Sequence, residues 1–149
     1  LMLIRDHIRL MGSSPLKGPN LPEFGPRFCD MTTAYDPDFL VMAEKEGKKL
    51  GLPMREGNYF FFPGPQFETP AEIRAARALG GDAAGMSTVY EVTAAAHCGM
   101  RTLGISLMTN MAAGILKQKL SGEEVNRTAE AAREHFSALV RACLPHMAG

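Results

Sequence analysis

Three polar clusters in this 149-residue chain hold the residue types that could act together on a small ligand. Glu68 lies in Pro63-Gly64-Pro65-Gln66-Phe67-Glu68-Thr69-Pro70, and Ser87 in Gly85-Met86-Ser87-Thr88. Thr109 and Asn110 lie in Ser106-Leu107-Met108-Thr109-Asn110-Met111-Ala112-Ala113-Gly114. A carboxylate accepts hydrogen bonds, a carboxamide donates and accepts, and hydroxyls do either. With the apolar surface of Phe67 and Met86 beside them, the set suits a flat, polar heterocycle carrying a sugar.

Each member also has a plainer account. Glu68 is a carboxylate favoured by the helix N-terminus at Thr69, whether or not it meets a ligand. Thr109-Asn110 serves equally as a turn, Ser87 as part of a cap and Met86 as core filling. Only the elements around them can bring the three clusters together. Each cluster follows a short apolar run, and if those runs are parallel strands the clusters share one edge of a sheet, where α/β proteins bind small ligands.

Leu1 to Ile4 reads as the tail of a strand, with Arg5, Asp6 and His7 at its exit. From Gly12 to Pro26 there are three Gly and four Pro, so neither a helix nor a central strand continues there. A loop of this length is functional or is ordered by another subunit. Phe24 and Phe28 read by default as anchors docking it onto its own core. Asp36-Pro37 opens a helix and Gly51 with Pro53 ends it. Tyr59 to Phe62 is an aromatic run without alternation, expected of a strand covered on both faces.

Thr69-Pro70-Ala71-Glu72 is a capping box whose helix runs to about Leu79, where Gly80-Gly81 stops it. The spacing predicts a strand over Ala83 to Met86, a second capping box at Thr88-Val89-Tyr90-Glu91 and a helix end near Cys98-Gly99. It further predicts a strand over Thr102 to Leu107 and a third capping box at Ser121-Gly122-Glu123-Glu124. Val125, Ala129, Ala132, Phe136, Leu139, Val140 and Cys143 then form one core stripe that Pro145 ends. The order implies a layered α/β/α fold with a mainly parallel, mixed central sheet, in one domain spanning residues 1 to 149.

Composition excludes other classes. Lys+Arg and Asp+Glu both number 16, which gives no support to nucleic acid or an anionic membrane as partner. No apolar run approaches the length of about eighteen residues that a membrane span needs. Cys29, Cys98 and Cys143 are far apart and odd in number, the pattern of reduced thiols in a cytoplasmic protein. His7, His97, His135 and His146 lack metal-ligand spacing, so no metal is expected. The opening Leu1-Met2-Leu3-Ile4 resembles neither an initiator segment nor a signal peptide; it reads as a chain entered partway through a strand.

The run from Gly64 to Arg74, then Gly85-Met86-Ser87-Thr88-Val89, His97-Cys98-Gly99 and Ser106 to Gly114, closely resembles the trimeric class of purine nucleoside phosphorylases. Asp6-His7-Ile8, Gly18-Pro19-Asn20, Arg27-Phe28 and Ala34-Tyr35-Asp36 extend the resemblance over nearly the whole chain, which corresponds to the carboxyl-terminal half of that family's usual length. The resemblance implies phosphate-dependent cleavage of inosine and guanosine by a homotrimer, with inorganic phosphate as co-substrate and no other cofactor. By it, Glu68 accepts the base N1 hydrogen, Asn110 bonds N7 and O6, and Thr109 lies near N7. Phe67 packs on the purine, Met86 underlies the ribose, Ser87 contacts phosphate and Phe28 reaches into a neighbouring subunit's site.

Gly122 stands where many members of that family have a histidine that contacts the 5'-hydroxyl, while Tyr90 and Ala96 replace a usual proline and arginine. Because the amino-terminal half supplies most of that family's phosphate grip, a non-catalytic purine-binding or assembly fragment is a second reading. A methylthioadenosine phosphorylase relative is a third, whose 6-amino substrate fits Glu68 and Asn110 poorly.

Overall fold

A computed structural model describes residues 1 to 147. Strands β1 (Met2–Ile8), β2 (Arg55–Phe61) and β3 (Ala83–Gly85) run parallel, while β4 (Gly104–Ser106) lies antiparallel to β1. The sheet order is β3-β2-β1-β4. β1 continues past the expected exit at Arg5 because a bulge between Ile4 and Asp6 lets its ladder with β2 resume.

The four helices are α1 (Pro37–Lys49), α2 (Pro70–Ala78), α3 (Val89–His97) and α4 (Gly122–Met147). On one face of the sheet, Met2, Ile4, Tyr59, Phe61 and Ala83 pack with Val89 and Val92 of α3 and with Ala34 and Tyr35. On the other, Leu3 meets Ala43 of α1 and Leu139 and Cys143 of α4, while Phe60 and Phe62 meet Ala76 of α2. Successive aromatics of β2 therefore enter different cores, as the unbroken run predicts.

The caps explain where the helices begin. Asp36 accepts from the amides of Asp38 and Phe39 at 3.0 and 3.1 Å. Its carboxylate also receives Arg101 Nε at 2.6 Å and Nη2 at 2.9 Å, and the guanidinium lies 4.2 Å over the Phe39 ring. Thr69 and Glu72 form both halves of a capping box, at 2.7 and 3.3 Å.

Two caps differ from expectation. Thr88 makes no side-chain bond to α3, because its backbone is left-handed. At α4, Ser121 Oγ accepts from Glu124 N at 3.2 Å, but the Glu124 carboxylate takes Gln118 Nε2 instead of completing the box. The α4 stripe also differs: only Leu139 and Cys143 are buried, and its other five members are half-buried. Pro145 lies inside the helix, which runs two residues further.

Candidate functional site

β2 and β3 end side by side, with Phe62 N donating to Gly85 O at 2.9 Å. The turn that carries Phe67 and Glu68 and the turn that carries Met86 and Ser87 therefore share the carboxyl edge of the parallel strands. Gly64 has φ +62, and a Cβ there would sit 2.5 Å from Met86 Sδ, so glycine is what lets the thioether lie on the turn. Glu68 is half-buried, while Phe67 and Met86 are 40% and 37% exposed.

Ser87 is positioned by a residue that reads from sequence as plain core. The buried Tyr59 places its hydroxyl 3.4 Å from Ser87 Oγ and accepts from Ser87 N at 3.3 Å. A Cβ on Gly85 would collide with that hydroxyl. The signal available beforehand was a phenol at the start of an aromatic run that reads as covered on both faces, because such a hydroxyl needs a partner.

Thr88 follows with φ 76 and ψ −49, and Val89 N donates across it to Ser87 O at 2.8 Å. This is a γ-turn with positive central φ, rare and strained, and more so for a β-branched residue. The turn aims the Thr88 hydroxyl at Ser87 Oγ, 3.1 Å away, instead of at the helix. The first amides of α3 are thus left without a side-chain cap beside an exposed serine hydroxyl, an arrangement that favours an anion.

The third cluster reaches this region by a different route from the one the apolar runs suggest. Because β4 is antiparallel, Ser106 pairs with Met2, and the chain leaves β4 at the opposite edge of the sheet. Apolar content reports burial and not strand direction, and antiparallel edge strands on parallel sheets are common. The following loop then turns back. A Cβ on Gly114 (φ +79) would lie 2.6 Å from Pro70 Cβ, which places Gly114 against the first residue of α2, two positions beyond Glu68. Thr109 and Asn110 are half-buried in this loop, and Asn110 Nδ2 donates to Thr109 Oγ1 at 3.2 Å.

Phe28 and Phe24 do not dock onto the core: they are 91% and 56% exposed. Polar groups hold the loop instead. Asn20 Oδ1 lies 3.1 Å from Nε2 of the buried His97, and Asn20 Nδ2 donates to Gly25 O at 3.0 Å. A Cβ on Gly25 would strike the His97 carbonyl. Arg27 donates to the carbonyls of Leu16 and Gly18 at 3.1 and 2.6 Å. At the base of the loop, His7 Nδ1 lies 3.1 Å from Tyr35 Oη. Burial lowers the His7 pKa, against the charge of Asp6, and burial with Asp6 raises that of Tyr35.

Tyr90 packs against Phe61 with the rings tilted at 48° and their centroids 4.9 Å apart, and it reaches the loop at Gly12. Gly122 has open space around it, and nothing in the structure explains Ala96. Among the described residues no group of three or more His, Cys, Asp or Glu could hold a metal, and no helix is long and apolar enough to cross a membrane.

Residues 1 to 145 match the model of the Phosphorylase superfamily. The chain is 53% identical to purine nucleoside phosphorylase 1 of Bacillus subtilis over 142 residues, covering 95% of this chain and 52% of that protein. It is 50% identical to purine nucleoside phosphorylase 1 of Geobacillus stearothermophilus, covering 99% and 54%. The crystal structure of the Schistosoma mansoni purine nucleoside phosphorylase with inosine superposes at a TM-score of 0.92 and 33% identity, covering 96% of this chain and 53% of that one. The chain thus spans about half the length of the curated relatives it matches.

Proposed function

The chain belongs to the phosphorylase superfamily, and from that premise we propose that it is the carboxyl-terminal half of a purine nucleoside phosphorylase. Its complete form cleaves the N-glycosidic bond of inosine- and guanosine-type nucleosides with inorganic phosphate, as a cytoplasmic homotrimer without other cofactors. Residues 1 to 149 act in it as one partial domain. The observation that carries this reading is the meeting of the Glu68 turn with Met86 at Gly64 and with the Asn110 loop at Gly114 and Pro70.

The chemistry follows from these groups. The bond from the ribose anomeric carbon to the purine breaks while that carbon gains a phosphate oxygen. The ribose becomes oxocarbenium-like, and electron density moves onto the purine. Asn110 donates at N7 and O6, where the charge develops, so its bond strengthens in the transition state more than in the ground state. Thr109, already bonded to the Asn110 amide, orients it. Glu68 accepts the N1 hydrogen and selects the 6-oxopurine tautomer. A 6-aminopurine presents a lone pair there, and the unpaired acceptor costs about 1–3 kcal/mol. Phe67 packs on the base, Met86 underlies the ribose, Ser87 holds phosphate and Phe28 enters a neighbouring subunit's site.

The coverage of only about half of each relative favours a second reading: a non-catalytic purine-binding or assembly fragment. Incubation with inosine, with and without phosphate, separates the two. Phosphate-dependent release of hypoxanthine supports the enzyme, whereas hypoxanthine binding in calorimetry without release supports the fragment. Equal affinity for hypoxanthine and adenine would remove the Glu68 assignment.

A further inference from the structure

Tyr59 of β2 is packed into the sheet core, and only 4% of it is exposed. A buried hydroxyl must donate as well as accept, because leaving either role unfilled away from water is costly. Among the described residues, both hydrogen bonds of this hydroxyl are to Ser87: it accepts from Ser87 N at 3.3 Å and lies 3.4 Å from Ser87 Oγ. The backbone N–H offers no acceptor, so the phenol proton goes to Ser87 Oγ. On the serine's other side, Thr88 Oγ1 stands 3.1 Å away.

A serine hydroxyl has two lone pairs and one proton. With the phenol proton on one lone pair and the Thr88 hydroxyl in reach of the other, the Ser87 proton is left for the exposed side of the turn. The first amides of α3, which lack a side-chain cap, open on the same turn. The turn therefore gathers donors, and an oxyanion whose oxygens carry no proton matches them. At 3.4 Å the phenol contact is long for two hydroxyls. A hydroxyl that donates to an anion becomes a stronger acceptor, so this contact tightens when the anion arrives.

We infer that Tyr59 is a positioning residue for phosphate: acting through Ser87, its proton commits the serine hydroxyl to donate toward the anion. The inference rests on the assignment of Ser87 to phosphate above. The competing account makes the phenol hydroxyl a support of the turn alone, with no preference between the two substrates.

Steady-state phosphorolysis of inosine by a complete phosphorylase containing this half tests the inference with Tyr59→Phe, which removes the hydroxyl and keeps the ring in its packing. The phosphate KM should rise roughly fivefold or more, since a charge-assisted hydrogen bond loses its orientation. The inosine KM should stay within about twofold of the parent, and the melting temperature close to it. Calorimetric titration with inorganic phosphate should show the same loss of affinity. Because Tyr59 acts through Ser87, Tyr59→Phe added to Ser87→Ala should raise the phosphate KM little beyond Ser87→Ala alone.

A phosphate KM raised by Ser87→Ala but not by Tyr59→Phe would overturn the inference and leave the Ser87 assignment standing. Equal losses for phosphate and inosine, or effects that multiply in the double variant, would assign the hydroxyl to general support of the fold and overturn it too. A phosphate KM indifferent to Ser87→Ala would remove the Ser87 assignment itself, and this inference with it.

Discussion

Asn110 and Thr88 show two ways in which one residue can matter to this site. Asn110 gives one of its two amide N–H donors to Thr109 Oγ1 at 3.2 Å, which orients the carboxamide and leaves the other N–H to donate. In a complete phosphorylase containing this half, Asn110→Ala should lower kcat by roughly tenfold or more, since it removes a donor whose bond tightens as the base departs. A steady-state rate within twofold of the parent would rule that role out. Thr88 carries the opposite sign for stability. Holding a β-branched residue at φ 76 costs about 1–3 kcal/mol. Thr88→Gly relieves that strain but adds about 0.5–1 kcal/mol of backbone entropy on folding, so a net stabilisation near 1 kcal/mol is expected in urea unfolding. A destabilised variant would show that the hydroxyl bond to Ser87 outweighs the strain.

Asp36 joins the start of α1 to the segment leading into β4: it caps the helix, grips Arg101 and donates its backbone N–H to Thr102 O at 2.9 Å. The hydrogen bond from Arg101 is the main force lowering the Asp36 pKa. Burial opposes it, and the amides of Phe39 and Asp38 and the charge of Arg101 add to it. The unfolded chain therefore takes up this proton first as the solution is acidified. The stabilisation is whole above about pH 4 and is lost as the pH falls through the lower folded value. Asp30 and Glu46 are lowered in the same direction by Thr32 and Lys49, so the comparison with Asp36→Asn isolates one carboxyl. Asparagine keeps the cap acceptor, and its melting temperature should fall less steeply as the pH drops below about 4; parallel curves would sink the assignment. Caps such as Asp36 and Thr69 were legible in the sequence because their partners lie within a few residues. The Thr88 cap was not, since Tyr59, 28 residues away in the contact, sets where the Ser87 turn must lie. The direction of β4 was also hidden, because three residues at a sheet edge carry no mark of polarity.

Fold class, both-faced burial of β2 and two of the three clusters at one edge could be read from local pattern, whereas the third cluster depends on a loop returning over the sheet end to Pro70. The other long loop poses the larger question. Its base is tied down by Asn20, His97 and Gly25, yet Phe28 stands 91% exposed from that base. Ordered backbone supporting a large unpacked ring has a physical rationale if the ring is buried only between subunits, as proposed here for the trimer. The two settings then separate in Phe28→Ala. In the isolated chain there is almost no burial to lose, so unfolding free energy should change by no more than about 0.5 kcal/mol. In an assembled phosphorylase the ring would be covered by the nucleoside of the neighbouring site. Losing about 1.5–3 kcal/mol of apolar burial there weakens nucleoside affinity by roughly 10- to 100-fold. The loss should appear in KM more than in kcat, because a ring packed on the sugar or base holds ground and transition states nearly alike. Denaturant melts of the fragment and steady-state kinetics of the assembled enzyme decide the matter together. A destabilised fragment would return Phe28 to the role of a core anchor, and an unchanged KM would leave the loop without a place in the neighbouring site.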